Sequence, residues 1–189
     1  MLEIKEQYAV NVNLRMVLPI ALRNPDVLFK NGDKNNVRYI MLDWARRAEF
    51  LGLPHQWPSP DPIVQERKTM QIAEQQPYIY RLSKLGVEAQ RRGQGIEFAE
   101  QVSRLIWGGT RAWDKRDHLK NATKTAGLSL ERMEAEIGSG NHMTEIEQNH
   151  TVLENAGHWG APTFVYKDEP FFGQDRIDTL CWRLDPILA

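Results

Sequence analysis

Residues 8–18 alternate Val10, Val12 and Leu14 with Asn11, Asn13 and Arg15, a period of two that predicts a strand ending at Pro19. Before it, residues 2–7 read as the last turns of a helix too short to stand alone. Past a loop holding Arg23-Asn24-Pro25 and Asn31-Gly32-Asp33, the period changes. Val37, Ile40, Met41, Trp44, Ala48 and Leu51 share one face while Arg46, Arg47 and Glu49 stay outside, so the spacing predicts an amphipathic helix that stops at Gly52. Pro54, Pro58, Pro60 and Pro62 then impose an extended connector, anchored through Trp57. From residue 65 to about 157 the pattern is helical, broken at Pro77, Gly93-Gln94-Gly95, Gly108-Gly109, Gly127 and Gly138-Ser139-Gly140. Strand chemistry returns at Thr163-Phe164-Val165-Tyr166, turns at Lys167-Asp168-Glu169 and resumes at Pro170-Phe171-Phe172; Ile177, Leu180, Cys181 and Leu184 stripe a final helix. The order of strand, helical block, hairpin and helix predicts an α/β fold.

Composition narrows the class. The 189 residues suit one domain, or a small one with a large insertion, and 41% hydrophobic residues with 6 Trp and 6 Phe are enough to fill a core. The 24 Lys and Arg are interspersed with 25 Asp and Glu, which argues against a nucleic-acid partner. No stretch approaches the roughly 18 apolar residues of a membrane span, and the N-terminus lacks the apolar core of a secretion signal. A cytoplasmic protein with no membrane partner is expected. The single cysteine, Cys181, fits that compartment and excludes Cys-x-x-Cys chemistry within these residues; its place on an apolar stripe reads as a small core residue. The five histidines show no ligand spacing, so no metal is expected.

The most informative stretch is Gly157-His158-Trp159-Gly160-Ala161-Pro162-Thr163, where a proline stands directly before a strand. Proline has no N–H for a ladder, so it is tolerated there only at a first position or a bulge. A cis peptide solves the geometry at a cost of about 0.5–1 kcal/mol and turns the backbone of the preceding residue, Ala161, outward as a short edge for an extended peptide.

Gly160-Ala161-Pro162-Thr163-Phe164-Val165, followed by Phe171-Phe172-Gly173-Gln174-Asp175-Arg176, resembles the C-terminal motif of the 2-hydroxychromene-2-carboxylate isomerase and kappa-class glutathione transferase group within the DsbA-like thioredoxin superfamily. Residues 15–19, Asn24-Pro25, and Arg38-Tyr39 leading into the Trp44 helix are similar to the stretch after that group's second strand. The resemblance implies a thioredoxin-like sheet core, residues 1–34 and 158–189, carrying a large all-helical insertion, residues 35–157. It implies glutathione as cofactor, its cysteinyl backbone paired with Ala161 before Pro162, its γ-glutamyl end at Gln174 and Asp175, and a further contact at Asn24. Helical N–H groups suit the ligand's carboxylate, and Asp175 its ammonium. The activity implied is a glutathione-dependent isomerase or transferase acting on an aromatic or electrophilic small molecule.

The group's reactive serine, or its Cys-x-x-Cys, sits at the start of a first helix after a central first strand, and neither has a counterpart among these residues. An unpaired edge is expected on both flanking strands. Three arrangements answer this: a longer chain of which this is a piece, a strand donated by a partner, or a rearranged sheet. The corresponding alternatives in function are a catalytically silent binding module, and a DsbA-type thiol-disulfide oxidoreductase if a missing N-terminal segment holds cysteines. A homodimer is a fair expectation. Trp107 and Trp113 either border a substrate pocket or pack helices, His158 and Trp159 either line the site or pack beneath the loop, and Asp175 either contacts ligand or, with Asp178, caps the last helix.

Overall fold

The computed structural model describes residues 1–24, 34–66 and 71–185, apart from the side chains of 34–37. Pro25 and Asn31-Gly32-Asp33 of the expected loop lie outside the described residues. The elements in order are α1 (Leu2–Gln7), α2 (Ile20–Arg23), α3 (Lys34–Phe50), α4 (Ile79–Arg91), α5 (Gly95–Trp107), α6 (His118–Thr125), α7 (Leu130–Ser139), α8 (His142–Asn155), β1 (Thr163–Tyr166), β2 (Glu169–Phe172), a 3-10 turn (Gln174–Arg176) and α9 (Ile177–Leu184).

Helix α4 is central to the helical block. Leu82, Ser83, Leu85, Gly86, Val87, Glu88 and Ala89 are all buried, a helix hidden nearly all round, and it packs on α5, α7 and α8. Phe98, Val102 and Ile106 of α5, Leu119 of α6 and Met133 of α7 complete that core with Trp113. The expected breaks fall between these helices: Gly93, Gly109 and Gly127 take positive φ, and the Ser129 hydroxyl caps α7 by accepting the Arg132 N–H. The helical pattern begins later than residue 65. Gln65 and Ile72 instead form an isolated antiparallel bridge before α4. Helix α3 does close at Gly52 (φ +64), where the Leu53 N–H reaches the Ala48 carbonyl.

A smaller core gathers Ile4, Phe171 and Leu180, with Val10, Val12, Phe164, Tyr166, Ile177 and Cys181 half-buried around them. Its hairpin pairs β1 with β2 antiparallel, Phe164 opposite Phe171, through a two-residue turn in which Lys167 and Asp168 both have positive φ. Arg183 of α9 holds Glu169 of β2 in a two-pronged ion pair at 2.7 and 3.0 Å.

The strand expected over residues 8–18 is corrected. Its alternation of exposed and half-buried residues runs from Tyr8 to Met16, but it joins no sheet among the described residues, where the only sheet is β1–β2. Helix side chains satisfy its backbone instead. Gln90 of α4 accepts the Leu14 N–H (2.8 Å), Asn149 of α8 donates to the Met16 carbonyl (3.0 Å), and His150 Nε2 accepts the Leu18 N–H (2.8 Å). Gly86 makes room for this segment, since a Cβ there would lie 2.7 Å from the Met16 sulfur. Among the described residues β1 pairs with β2 alone, so its other edge is unpaired there, as expected.

Glu88 and His142 tie α4 to α8. The buried imidazole donates from Nε2 to Glu88 Oε2 at 2.9 Å, and Arg92 donates to Oε1 at 2.7 Å. Burial alone pushes the Glu88 carboxyl up, but these two hydrogen bonds outweigh it and hold the group below its usual value. A depressed folded-state value contributes stability above the ordinary glutamate range, about 4.3, and that contribution is lost as pH falls through the folded value. Acid titration of unfolding free energy is therefore expected to show a loss below about pH 4.3 that Glu88→Gln flattens. In urea unfolding, Gln90→Ala is expected to cost about 1–3 kcal/mol because it strands the Leu14 N–H; a change within about 0.5 kcal/mol would show that bond to be dispensable.

Candidate functional site

Pro162 follows a cis peptide bond from Ala161, as the sequence predicts. Its carbonyl accepts the Gly173 N–H at 3.0 Å, so the proline loop and the turn carrying Gln174 and Asp175 lie side by side. Ala161 is exposed, and its N–H and C=O have no partner among the described residues. The N–H groups of Gln174 and Asp175 open the 3-10 turn beside it. Asp175 caps nothing: it is exposed and stands 3.4 Å from Arg176, and neither the turn nor α9 has a side-chain cap.

The loop is braced from beneath. The His158 ring lies 4.0 Å from that of Phe172 and 5.4 Å from that of Trp159, nearly parallel to both, and its Nδ1 accepts the Gly160 N–H. Thr163 Oγ1 donates to the Gly160 carbonyl. Gly160 is buried against Phe172, and a Cβ there would meet that ring at 2.3 Å. His158 thus packs under the loop, whereas Trp159 is 47% exposed beside it.

Arg23 joins this loop to residues 18–24. Its guanidinium donates to the Leu18 carbonyl (2.6 Å) and to the Trp159 carbonyl (2.7 Å), which sets Asn24 on the same side of the molecule as the proline loop. A cleft of about 520 Å³ opens there, lined by Leu18, Ile20, Arg23, Asn24, Glu147, His150, Glu154 and Trp159. Burial lowers the pKa of Arg23, and burial together with the positive Arg23 lowers that of His150. With its Nε2 accepting from Leu18, the neutral imidazole carries its proton on Nδ1.

Asn24 and Trp159 thus share one cleft, whereas Ala161, Pro162, Gln174 and Asp175 lie in the proline loop and the turn beside it and do not line that cleft. The two tryptophans of the helical block lie elsewhere. Trp113 is 1% exposed, donates its indole N–H to the Pro60 carbonyl and belongs to the core, so it lines no open pocket. Trp107 packs with Trp44, His55 and Trp57. Sequence reading missed Arg23, Glu147, His150 and Glu154 as cleft residues; the available signal was the spacing of Glu147, His150 and Glu154 along one face of α8. Cys181 sits against the smaller core beside Tyr8, whose phenol pKa is raised first by their hydrogen bond and then by burial. Among the described residues no cluster of His, Cys, Asp or Glu is placed to hold a metal ion, and no helix is long and apolar enough to cross a membrane.

The family model of the DSBA-like thioredoxin domain matches residues 3–185. No curated protein matches the chain.

Gly160→Ala is expected to destabilise the protein by about 1–3 kcal/mol, because the ring of Phe172 cannot yield without unstacking His158. The checks are the urea midpoint and the emission of Trp159.

Proposed function

The chain belongs to the DSBA-like thioredoxin domain family, whose fold is thioredoxin-like α/β and whose activities are of the thiol oxidoreductase, isomerase and transferase kinds, and we propose that it binds glutathione for an isomerase or transferase reaction. The observation that carries this reading is the Ala161 backbone before Pro162, exposed and with its N–H and C=O unpartnered among the described residues, which would pair with the cysteinyl backbone of an extended tripeptide. Gln174 and Asp175 would hold the γ-glutamyl end, N–H groups to its carboxylate and the Asp175 carboxylate to its ammonium. Asn24 contacts the ligand from across the cleft. When bound, glutathione supplies a thiol that adds reversibly to an activated double bond, allowing rotation and re-formation of that bond, or that captures an electrophile outright. The second substrate is an aromatic or electrophilic small molecule lying against Trp159, with Arg23 and the His150 Nδ1–H as donors in the cleft.

One observation favours a second reading, a binding module without chemistry of its own. Among the described residues lining the cleft and loop, no serine or cysteine stands ready to stabilise a thiolate, and the Thr163 hydroxyl is committed to Gly160. The sole cysteine, Cys181, lies on α9 against the smaller core, so a two-cysteine oxidoreductase fits these residues least.

Calorimetric titration of the folded chain with glutathione tests the proposal. Saturable binding is expected, and Asp175→Asn should weaken it about tenfold, or about 1.4 kcal/mol. A folded sample that gives no binding heat removes glutathione from the account. Thiolate absorbance near neutral pH then separates the two readings, since it grows on binding only where the protein ionises the thiol.

A further inference from the structure

The outer face of α3 stands apart from the cleft and has no occupant among the described residues. On its inner side Trp44 stacks on Trp57 (ring centroids 5.8 Å apart) and meets Trp107 edge-on (5.5 Å), so an aromatic cluster ties α3 to the body. The opposite side leaves Tyr39, Leu42 and Phe50 58%, 55% and 75% exposed, with Leu53 exposed just beyond the helix end. Large exposed apolar side chains on both sides of the Asp43–Arg46 pair mark an interaction surface on this charged helix.

We propose that this face is a self-association surface on which a second copy of the chain docks through its own α3, antiparallel about a two-fold axis. The chemistry of the face selects that occupant. Arg38 and Glu49 are both exposed, have no ion-pair partner among the described residues, and lie eleven residues apart, three helical turns or about 16 Å, on the same side. Each stands beside an exposed aromatic, Arg38 next to Tyr39 and Glu49 next to Phe50. An antiparallel copy brings Arg38 opposite Glu49 of the partner subunit and Tyr39 opposite Phe50 of the partner subunit, and symmetry repeats both contacts. Leu42 lies between them, and Asp43 and Arg46 pair within the helix at 3.2 Å. Mixed signs along the stripe make it a poor match for an anionic membrane or nucleic acid, which call for a basic face. A standard interface hides about 800 Å² per partner, and Tyr39, Leu42, Phe50 and Leu53 supply the apolar centre around which one of that size is built.

Sedimentation equilibrium on the full chain tests it. The wild type is expected to be a reversible dimer at micromolar concentration. Arg38→Glu and Glu49→Arg should each weaken it by about tenfold or more, because each sets like charges opposite one another twice, while the double variant R38E/E49R should restore it. Phe50→Glu should give a monomer with an unchanged circular dichroism spectrum. A wild type that stays monomeric to about 100 μM overturns the proposal. So does a dimer indifferent to these substitutions, or one weakened by both single changes and not restored by the double.

Discussion

An extended chain carries a backbone donor or acceptor at every residue, and among the described residues the segment from Leu14 to Leu18 has no neighbouring strand to satisfy them. Three helix side chains take that place: Gln90 from α4, and Asn149 and His150 from α8. Each has to be held at a fixed point along its helix, because a buried group left unpaired costs about 1–3 kcal/mol. The rest of the structure is arranged around that demand. Gly86 lets Met16 approach α4, and the buried Glu88–His142 pair sets α4 and α8 relative to each other, so that acceptors and donor meet one extended backbone.

The site inherits its position from that arrangement. Because Leu18 is fixed by His150, its carbonyl is available to Arg23, and Arg23 spends a second donor on the Trp159 carbonyl. The proline loop is thereby tied to the segment that supplies Asn24. Beside it, the rings of Phe172, His158 and Trp159 stack on one another and the Pro162 carbonyl accepts the Gly173 N–H. The exposed edge at Ala161 is thus held from two sides, as recognition through backbone groups requires.

Helix α3 obeys a different logic. Its outward residues join neither of the two cores, and the cluster of Trp44, His55, Trp57 and Trp107 ties it to the body. A helix of this length in water draws its stability chiefly from the faces it buries. One that buries only part of its apolar surface within the chain has the rest available for a second copy.

Local rules carried much of this into the sequence. Gly52, Gly93, Gly109 and Gly127 marked helix ends because left-handed backbone favours glycine, and Pro162 before a β-branched, aromatic run announced both the cis bond and the outward-facing Ala161. Alternation over residues 8–16 was equally legible and correctly gave one half-buried face. It could not say what lies alongside, since side-chain period reports burial and is silent on hydrogen-bond partners. The partners proved to be side chains more than seventy residues away, and the same distance in sequence hid the joining of Arg23 to Trp159 and the gathering of Glu147, His150 and Glu154 at the cleft. Trp113 shows the converse: its composition suited a pocket as well as a core, and only the packing of α4 to α7 around it decided for the core. The sequence determined the local conformations, including the cis-proline loop, because neighbouring residues dictate those. Which distant side chains complete each backbone and line the cleft was decided by tertiary packing, the only stage at which they meet.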